Sequence, residues 1–437
     1  MNSTTSAAYR EIPEEATYSK LMWRLLPFLF FCYMCAYLDR INVSFAKLQM
    51  LQALGMSNAV YGLGAGIFFV GYLLFEVPSN LILLKVGARR WIARIMVTWG
   101  LLSAATMFVT TPTAFYVMRF LLGVAEAGFI PAILLYLTYW FPASRRSKVT
   151  ALFLTGIPMS GVIGGPLSGW ILHSLSGQNG LAGWQWLFLL EGIPTALIGV
   201  VVFFYLDDKV ADARWLTDEQ KALIERNLAA DTGGHKLHSL RDGLVSPRIL
   251  LLSTIYFFFT MGLYGVSFWL PSLVKASGVA DPLDIGLLSA VPYAAATLSM
   301  ILVGHSSDRT GERRWHLAVP GVLGAGALCL SVAWAHNTML AMIALSVGTM
   351  GVMTTISQFW TLPPAVLSGA AAAAGLALAN SIGSISGVVS PYVIGWLQTT
   401  TGSTGNGVLG IAASMVIGAI LTLKLSARAV NNRPPRN

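Results

Sequence analysis

Two arginines and two acidic residues stand in the middle of long apolar stretches of this sequence: Asp39 beside Arg40, and Arg119 seven residues before Glu126. A guanidinium keeps its charge and offers a planar fork that holds a carboxylate through two parallel hydrogen bonds. A carboxyl group in the same surroundings exchanges a proton under two opposing influences, desolvation and the nearby arginines. The four side chains could therefore bind an organic anion and protons in a linked way. Each costs at least about 2.5–3.5 kcal/mol at the centre of a membrane helix, which marks it as a candidate for function. Arg119 and Glu126 are two turns apart and share one face of a helix, whereas Asp39 and Arg40 point about 100° apart. The competing reading is two structural ion pairs, Asp39 with Arg119 and Arg40 with Glu126. Buried pairs seldom stabilise a fold more than apolar packing would, so that reading alone leaves their placement unexplained.

These residues need elements that hold them in lipid. The 437 residues are 55% apolar and only 11% charged, with a mean hydropathy of +0.66 and 43 glycines. Average globular proteins are roughly 25% charged, so a water-exposed surface cannot be covered here. Runs of about 20 apolar residues mark membrane helices and are far too long for barrel strands. Twelve such runs are expected near 23–46, 60–84, 91–110, 112–140, 149–174, 184–206, 249–275, 284–305, 315–335, 338–360, 371–398 and 407–427. The chain reads as an all-α polytopic membrane protein. The first run is too long for a cleaved signal and has no small-residue cleavage site after it. Cys32, Cys35 and Cys329 lie inside apolar runs and read as packing residues.

The net charge of +9 resolves into topology. Of the 28 Lys and Arg, Lys47 and Lys275 fall in loops assigned to the outside, and Arg40 and Arg119 fall inside spans. The rest lie in the two tails, the long central loop and the loops after even-numbered spans, including Arg89, Arg90, Arg309, Arg313 and Arg314. Both termini are therefore expected in the cytoplasm, and the basic side faces anionic lipid rather than nucleic acid. Residues 207–248 form the one long polar stretch, with an amphipathic helix opening at Thr217-Asp218-Glu219-Gln220. The expected organisation is a tail at 1–22, six spans over 23–206, a linker at 207–248, six spans over 249–427 and a tail at 428–437.

The halves echo each other. Ser160-Gly161-Val162, Pro166 and Gly169-Trp170 in the fifth span match Ser386-Gly387-Val388, Pro391 and Gly395-Trp396 in the eleventh. Paired six-span halves with a site between them are a mark of secondary transporters. Gly304-His305-Ser306-Ser307-Asp308-Arg309-Thr310-Gly311-Glu312-Arg313-Arg314 resembles the loop signature of the major facilitator superfamily. Tyr37-Leu38-Asp39-Arg40-Ile41-Asn42, Phe75-Glu76-Val77-Pro78-Ser79-Asn80, Arg119 with Gly123 and Glu126, Trp184 to Gly192, and Ala213-Arg214-Trp215-Leu216 are similar to its anion:cation symporter family. The resemblance covers nearly the whole chain. Asn80 and Lys85 depart from the superfamily's usual glycine and aspartate, which weakens the first-half copy of the loop gate.

The resemblance implies the superfamily fold of two pseudo-symmetric six-helix bundles, import of an organic acid anion by proton symport, and a bacterial inner membrane. It implies substrate contacts from Arg40 and Arg119, and from Tyr72, Trp360 and Asn380 lining the cavity, with protons on Asp39 and Glu126. Tyr264, Ser357 and Gln358 are further polar candidates for substrate hydroxyls or carboxylate, with interhelical packing as the alternative. Asp308, Arg309, Arg313, Arg314, Arg89 and Arg90 are expected to gate the cytoplasmic side. Glu76 and Glu191, nearer span ends, are expected to tie helices together. No histidine is expected at the midplane; His235 and His238 fall in the linker. The expected partners are an organic acid anion, protons and lipid, in a monomer, with no metal and no cofactor besides the coupling protons. No nucleophile triad, metal cluster or phosphate loop favours an enzyme. Hydroxy-dicarboxylates and sugar acids fit two arginines and hydroxyl donors, and aromatic carboxylates fit the rings. Exchange or uniport is the nearer rival mechanism, and a transporter-like receptor the remote one.

Overall fold

The computed structural model describes residues 14–231, 247–363 and 369–431. The loop histidines His235 and His238, residue Pro364 and the last residues of the tail lie outside them. Among the described residues twelve helices are long and apolar enough to cross a membrane: Glu14–Ala53, Asn58–Val86, Ala88–Phe108, Pro112–Thr138, Leu152–Ser174, Gly183–Tyr205, Pro247–Ala276, Pro282–Thr310, Arg314–Ala333, Thr338–Phe359, Leu376–Thr401 and Thr404–Lys424, numbered here as spans 1 to 12. Spans 1–6 pack on one another, as do spans 7–12, and the linker joins the two bundles at one end of the molecule. That end is called the linker end below, and the opposite one the far end.

Span 1 is longer than its apolar run. Within the described residues its helix runs from Glu14, and the linker holds its first turns: Lys20 Nζ donates to the Trp215 carbonyl at 2.6 Å and Asn227 Nδ2 to Tyr18 Oη at 3.2 Å. Asn227 sits on the linker helix Asp218–Asp231, which is capped as expected, with Thr217 Oγ1 accepting from the Gln220 N–H at 3.3 Å and Gln220 Oε1 from the Thr217 N–H at 3.2 Å. At its other end the helix runs on to Ala53, so Lys47 is not in a loop. It is buried at the far end, where its ammonium lies 3.3 Å from the Trp269 ring centre and donates to Ser272 Oγ at 3.0 Å. The ring face and hydroxyl replace the water that a loop would have provided.

The two bundles meet along spans 2 and 11 and along spans 5 and 8. Close approach is made by glycine. A Cβ on Gly165 would stand 2.7 Å from the Gly286 carbonyl oxygen, and one on Gly66 2.8 Å from that of Val388. The internal repeat is visible as contact: Gly161 and Gly387 each face an aromatic ring of the other bundle, Tyr293 and Phe69, while Gly169 and Gly395 face the first turns of spans 8 and 2. Hydrogen bonds bolt the far end, including Ala59 N–H to Thr399 Oγ1 at 2.9 Å, Tyr61 Oη to the Phe268 carbonyl at 3.0 Å and His173 Nδ1 with Asp281 Oδ2 at 2.8 Å. Against the opposing effect of desolvation, the N–H groups of Leu283 and Asp284 and the His173 ring hold the Asp281 carboxyl below its ordinary range. Toward the linker end the bridges stop. Among the described residues the last hydrogen bond between the halves is Asn380 Nδ2 to Glu76 Oε1 at 3.2 Å.

The far-end seal therefore depends on small residues at the bundle contact. Inserting extra methyls there costs about 1–3 kcal/mol, so Gly286→Val is expected to open the seal. In a cysteine-free background with Ser272→Cys, thiol labelling from the far side should quicken by about tenfold in Gly286→Val, the equivalent of about 1.4 kcal/mol within that range. An unchanged labelling rate would show that this glycine contact does not set closure.

Candidate substrate-binding site

The site is organised by a break in span 4. Its first helix, Pro112–Glu126, ends where Ala127 turns extended and Gly128 takes φ +88, and a second helix, Phe129–Thr138, follows. The break follows from Pro131, whose ring conflicts with the carbonyl four residues back, that of Ala127. The freed carbonyl accepts from Ser79 Oγ at 2.6 Å, and the same hydroxyl accepts from Trp91 Nε1 at 2.9 Å. Glu126 is thereby placed at the end of a half-helix in the membrane interior. Gly123, one turn earlier, lets span 2 approach until a Cβ would overlap the Phe68 carbonyl, which sets Phe68 and Tyr72 beside Arg119 and Glu126.

Arg40 forms an ion pair with Glu126 through Nη2 and Oε1. Its guanidinium carbon lies 5.4 Å from the Phe68 ring centre, 5.6 Å from Tyr37 and 5.8 Å from Tyr72. Arg119 lies 5.1 Å from the same Phe68 ring. Two cations thus share one aromatic ring, and among the described residues only one of them, Arg40, is in an ion pair. Arg119 is 1% exposed, yet its Nε and Nη2 have no hydrogen-bond partner, and neither has Glu126 Oε2. Tyr264 joins the group from the other bundle, meeting Phe69 edge-on at 4.4 Å. Phe68 is not among the expected residues. An aromatic in an apolar run carries no signal of its own, and only its contact with both arginines reveals it.

Asp39 is elsewhere. It is 2% exposed and turned into the first bundle, where Oδ1 accepts from Ser103 Oγ at 3.1 Å and Asn42 Nδ2 at 3.4 Å. The alternative of two structural pairs is therefore half right: Arg40 pairs with Glu126, while Asp39 forms no ion pair with Arg119. The neighbouring positions on one helix turn force the two side chains apart.

The second-half candidates separate from this cluster. Asn380 bonds to Glu76, which ties span 2 of one bundle to span 11 of the other. Trp360 packs edge-on against Tyr256 at 5.0 Å near the linker end of span 10. Ser357 Oγ donates to the Thr354 carbonyl at 3.1 Å, and Gln358 is buried with Oε1 unpartnered. None of Ser357, Gln358 and Trp360 has a hydrogen bond or ring contact with the arginine pair. Among the described residues the gating residues make no hydrogen bond or ion pair from one bundle to the other. Arg313 pairs with Asp308 at 2.7 Å, Arg314 donates to the carbonyls of Leu423 and Leu425, and the Arg89 N–H donates to Asp208 at 2.8 Å. Arg90 and Arg309 are exposed. A cavity of about 670 Å³ under the linker, lined by Arg24, Arg89, Asp212, Arg214 and Trp215 among others, is remote from Arg40 and Arg119.

Twelve spans in two glycine-welded bundles, with charged side chains between them, agree with a match to the family model of the Major Facilitator Superfamily over residues 29–391. The chain belongs to the major facilitator superfamily. It is a multi-pass membrane transporter of that superfamily. The chain is 48% identical over 432 residues to the metabolite transport protein named NicT of Pseudomonas putida, covering 98% of this chain and 99% of that one. It is 47% identical over 419 residues to a protein of Agrobacterium vitis named as a tartrate transporter, covering 95% and 93%. Among superfamily structures, the xylose transporter XylE from E. coli, in a partially occluded inward-open conformation, superposes with a TM-score of 0.73 at 14% identity, covering 93% and 98% of the chains, which bears on the fold alone.

Breaking one side of a buried pair costs about 3–5 kcal/mol because the other charge is stranded. Arg40→Gln should therefore lower the melting temperature of the purified transporter at neutral pH, and Arg40→Gln with Glu126→Gln should regain part of the loss. A double variant whose loss equals the sum of the single losses would mean that the two side chains do not act as a pair.

Proposed function

We propose that the protein imports a small organic acid anion, a hydroxy-dicarboxylate or a sugar acid, together with protons by alternating access. The observation that carries this reading is the unpaired guanidinium of Arg119, buried beside an arginine that already has its carboxylate. A buried donor left without an acceptor is costly, and a substrate carboxylate would supply the acceptor. Arg119 Nε and Nη2 would receive one carboxylate of the anion. A second carboxylate, or the hydroxyl beside the first, would reach Arg40 and compete with Glu126 for it. Glu126, deprived of its counter-ion in a desolvated place, would then bind a proton, so anion and proton load together. Tyr72 and Tyr264 offer hydroxyl groups to the rest of the substrate, and the rings of Phe68 and Tyr37 exclude water around it.

The charges favour coupling. Arg40 and Arg119 against Glu126 and Glu76 sum to zero when all are ionised, so a bound monoanion alone would have to cross against an inside-negative potential, at about 2.3 kcal/mol per charge per 100 mV. Co-transported protons remove that cost. The basic loops of the linker end fit the cytoplasmic face by the positive-inside rule, with both termini there and anionic lipid around it. On that orientation the sealed far end faces outward, and the arrangement is the inward-facing one. The two bundles, joined by the 207–248 linker, would rock as units about the glycine contacts in a monomer, and the Asp308, Arg309, Arg313, Arg314, Arg89 and Arg90 loops would engage across the halves in the opposite state. The bacterial relatives, one of them named for tartrate, support a bacterial inner membrane and this substrate class.

Thermal-shift titration of the purified transporter with tartrate, sugar acids and benzoates, at mildly acidic and neutral pH, tests the reading. A bound acid at a hundred times its Kd stabilises the fold by about 2.7 kcal/mol. Arg119→Ala is expected to weaken a hit by about thirtyfold or more, the loss of a desolvated charge-assisted contact of about 2 kcal/mol. A hit that survives Arg119→Ala unweakened would remove Arg119 as the anchor. In liposomes, uptake of the same acid should rise when the outside is made acidic; uptake indifferent to the gradient would favour uniport or exchange over symport.

A further inference from the structure

Behind the arginine site lies a second group of acidic side chains that the anion does not reach. Glu191 of span 6 is 4% exposed, and its Oε1 accepts from Ser168 Oγ of span 5 at 2.8 Å. Asp39 of span 1 faces the same region, its Oδ1 held by Ser103 of span 3 and by Asn42. Asn42 lies between the two acids, and Thr195 of span 6, whose Oγ1 donates to the Glu191 carbonyl at 3.1 Å, stands beside Asp39. Each carboxyl thus has one oxygen occupied by hydroxyl or amide donors and one oxygen bare. Asp39 Oδ2, Glu191 Oε2 and Asn42 Oδ1 are all buried and all without a partner. Every one of the three is an acceptor in these roles, and Asn42 itself is 1% exposed.

What is absent here decides the reading. Among the described residues neither Asp39 nor Glu191 takes part in an ion pair. The other titratable groups facing them are Cys35, one turn earlier on span 1, and Glu126 of span 4. Arg40, the nearest cation in sequence, is turned to Glu126. Two carboxylates with bare oxygens, in mutual electrostatic contact and with no cation, cannot both stay ionised in such a place. A proton on one of the bare oxygens removes a charge and turns one of three orphaned acceptors into a donor for the others. Hydroxyls already aimed at Oδ1 and Oε1 leave Oδ2 and Oε2 as the places for it.

We propose that Asp39 and Glu191 bind one proton in common, as a proton site separate from the Arg40–Glu126 pair. The proton comes from water and returns to water, with no other bond made or broken. Glu191 is then a positioning partner of Asp39 as well as a tie between spans 5 and 6. Span 1 carries this proton site on one face and the anion-binding Arg40 on the next, so the packing of span 1 against spans 3, 5 and 6 connects the two. That connection to transport rests on the function proposed above; the shared proton does not.

Infrared difference spectroscopy of the reconstituted full-length protein, titrated with pH in the absence of any organic acid, reads the carbonyl stretch of protonated carboxyls directly. Removing one member of an interacting pair changes the titration of the other by about one pH unit or more. Asp39→Asn and Glu191→Gln should each delete one contribution and move the midpoint of the remaining one by that amount, while Glu126→Gln deletes a contribution and leaves their mutual coupling in place. Independent midpoints in the two single variants would overturn the proposal. A wild-type band that collapses on adding sodium at constant pH would also overturn it, assigning the site to a metal cation. If Glu191→Gln does not fold, Ser168→Ala keeps both carboxyls and removes the donor to Oε1; an unmoved midpoint there likewise counts against the pair. Arg119-dependent binding is unaffected by these outcomes, so failure of the shared proton and failure of the organic-anion reading are told apart.

Discussion

A guanidinium cannot be buried without something to answer its charge, and this molecule buries two of them on one aromatic ring. Phe68 lies under both Arg40 and Arg119, but only Arg40 has a carboxylate. The cation–π contact contributes only about 0.5–2 kcal/mol, far less than the desolvation of a charge. The remaining deficit is concentrated at Arg119, at the place where two bundles meet. Much of the surrounding structure holds that deficit in position. The break at Gly128 sets Glu126 at the end of a half-helix, Gly123 brings span 2 near enough for Phe68 to serve both cations, and the far-end seal keeps water from approaching from that side.

Close contact through small residues also suits the proposed rocking of the halves. Spans 2 and 11 and spans 5 and 8 make that contact where a glycine meets the backbone of the other bundle, at Gly66 and Gly165, or one of its rings, at Gly161 and Gly387. The hydrogen bonds across it are concentrated at the far end and thin out to Asn380 and Glu76 toward the linker end. The basic loops of the linker end are occupied by Asp208 of the linker and by Asp308 and main-chain carbonyls of the second half. They are thus available to make new partners if the halves close there.

Much of the frame is legible in the amino-acid sequence, because lipid imposes long apolar runs and leaves charged residues as rare, readable marks. The twelve spans, the two halves, the linker helix and its Thr217 cap follow from that reading. The pairing of Arg40 with Glu126 is one of two alternatives that the sequence leaves open. The direction of Asp39 is not decidable from it, since adjacent residues on a helix must diverge but nothing in the sequence says which one faces inward. Span 1 outruns its apolar signal at both ends because tertiary partners, Trp215 and Asn227 at one end and Trp269 at the other, satisfy residues that hydropathy assigns to water. The break in span 4 is carried by Gly128 and Pro131 but hidden inside a run apolar enough to pass as one helix. Phe68 is invisible for the opposite reason, being an ordinary residue given a role only by two neighbours from other helices. Ser357, Gln358 and Trp360 stand out in the sequence by their polar groups within a span, and depth along the helix sets them apart from the arginines.

On the proposed coupling an anion takes Arg40 from Glu126, and Glu126 answers by binding a proton. Calorimetric titration of the purified transporter with an acid that binds, repeated in buffers of different ionisation enthalpy, counts the protons taken up per anion bound. Net proton uptake is expected on binding in the wild type, with less uptake in Glu126→Gln. Binding with no proton uptake, or with uptake unchanged in Glu126→Gln, would contradict it.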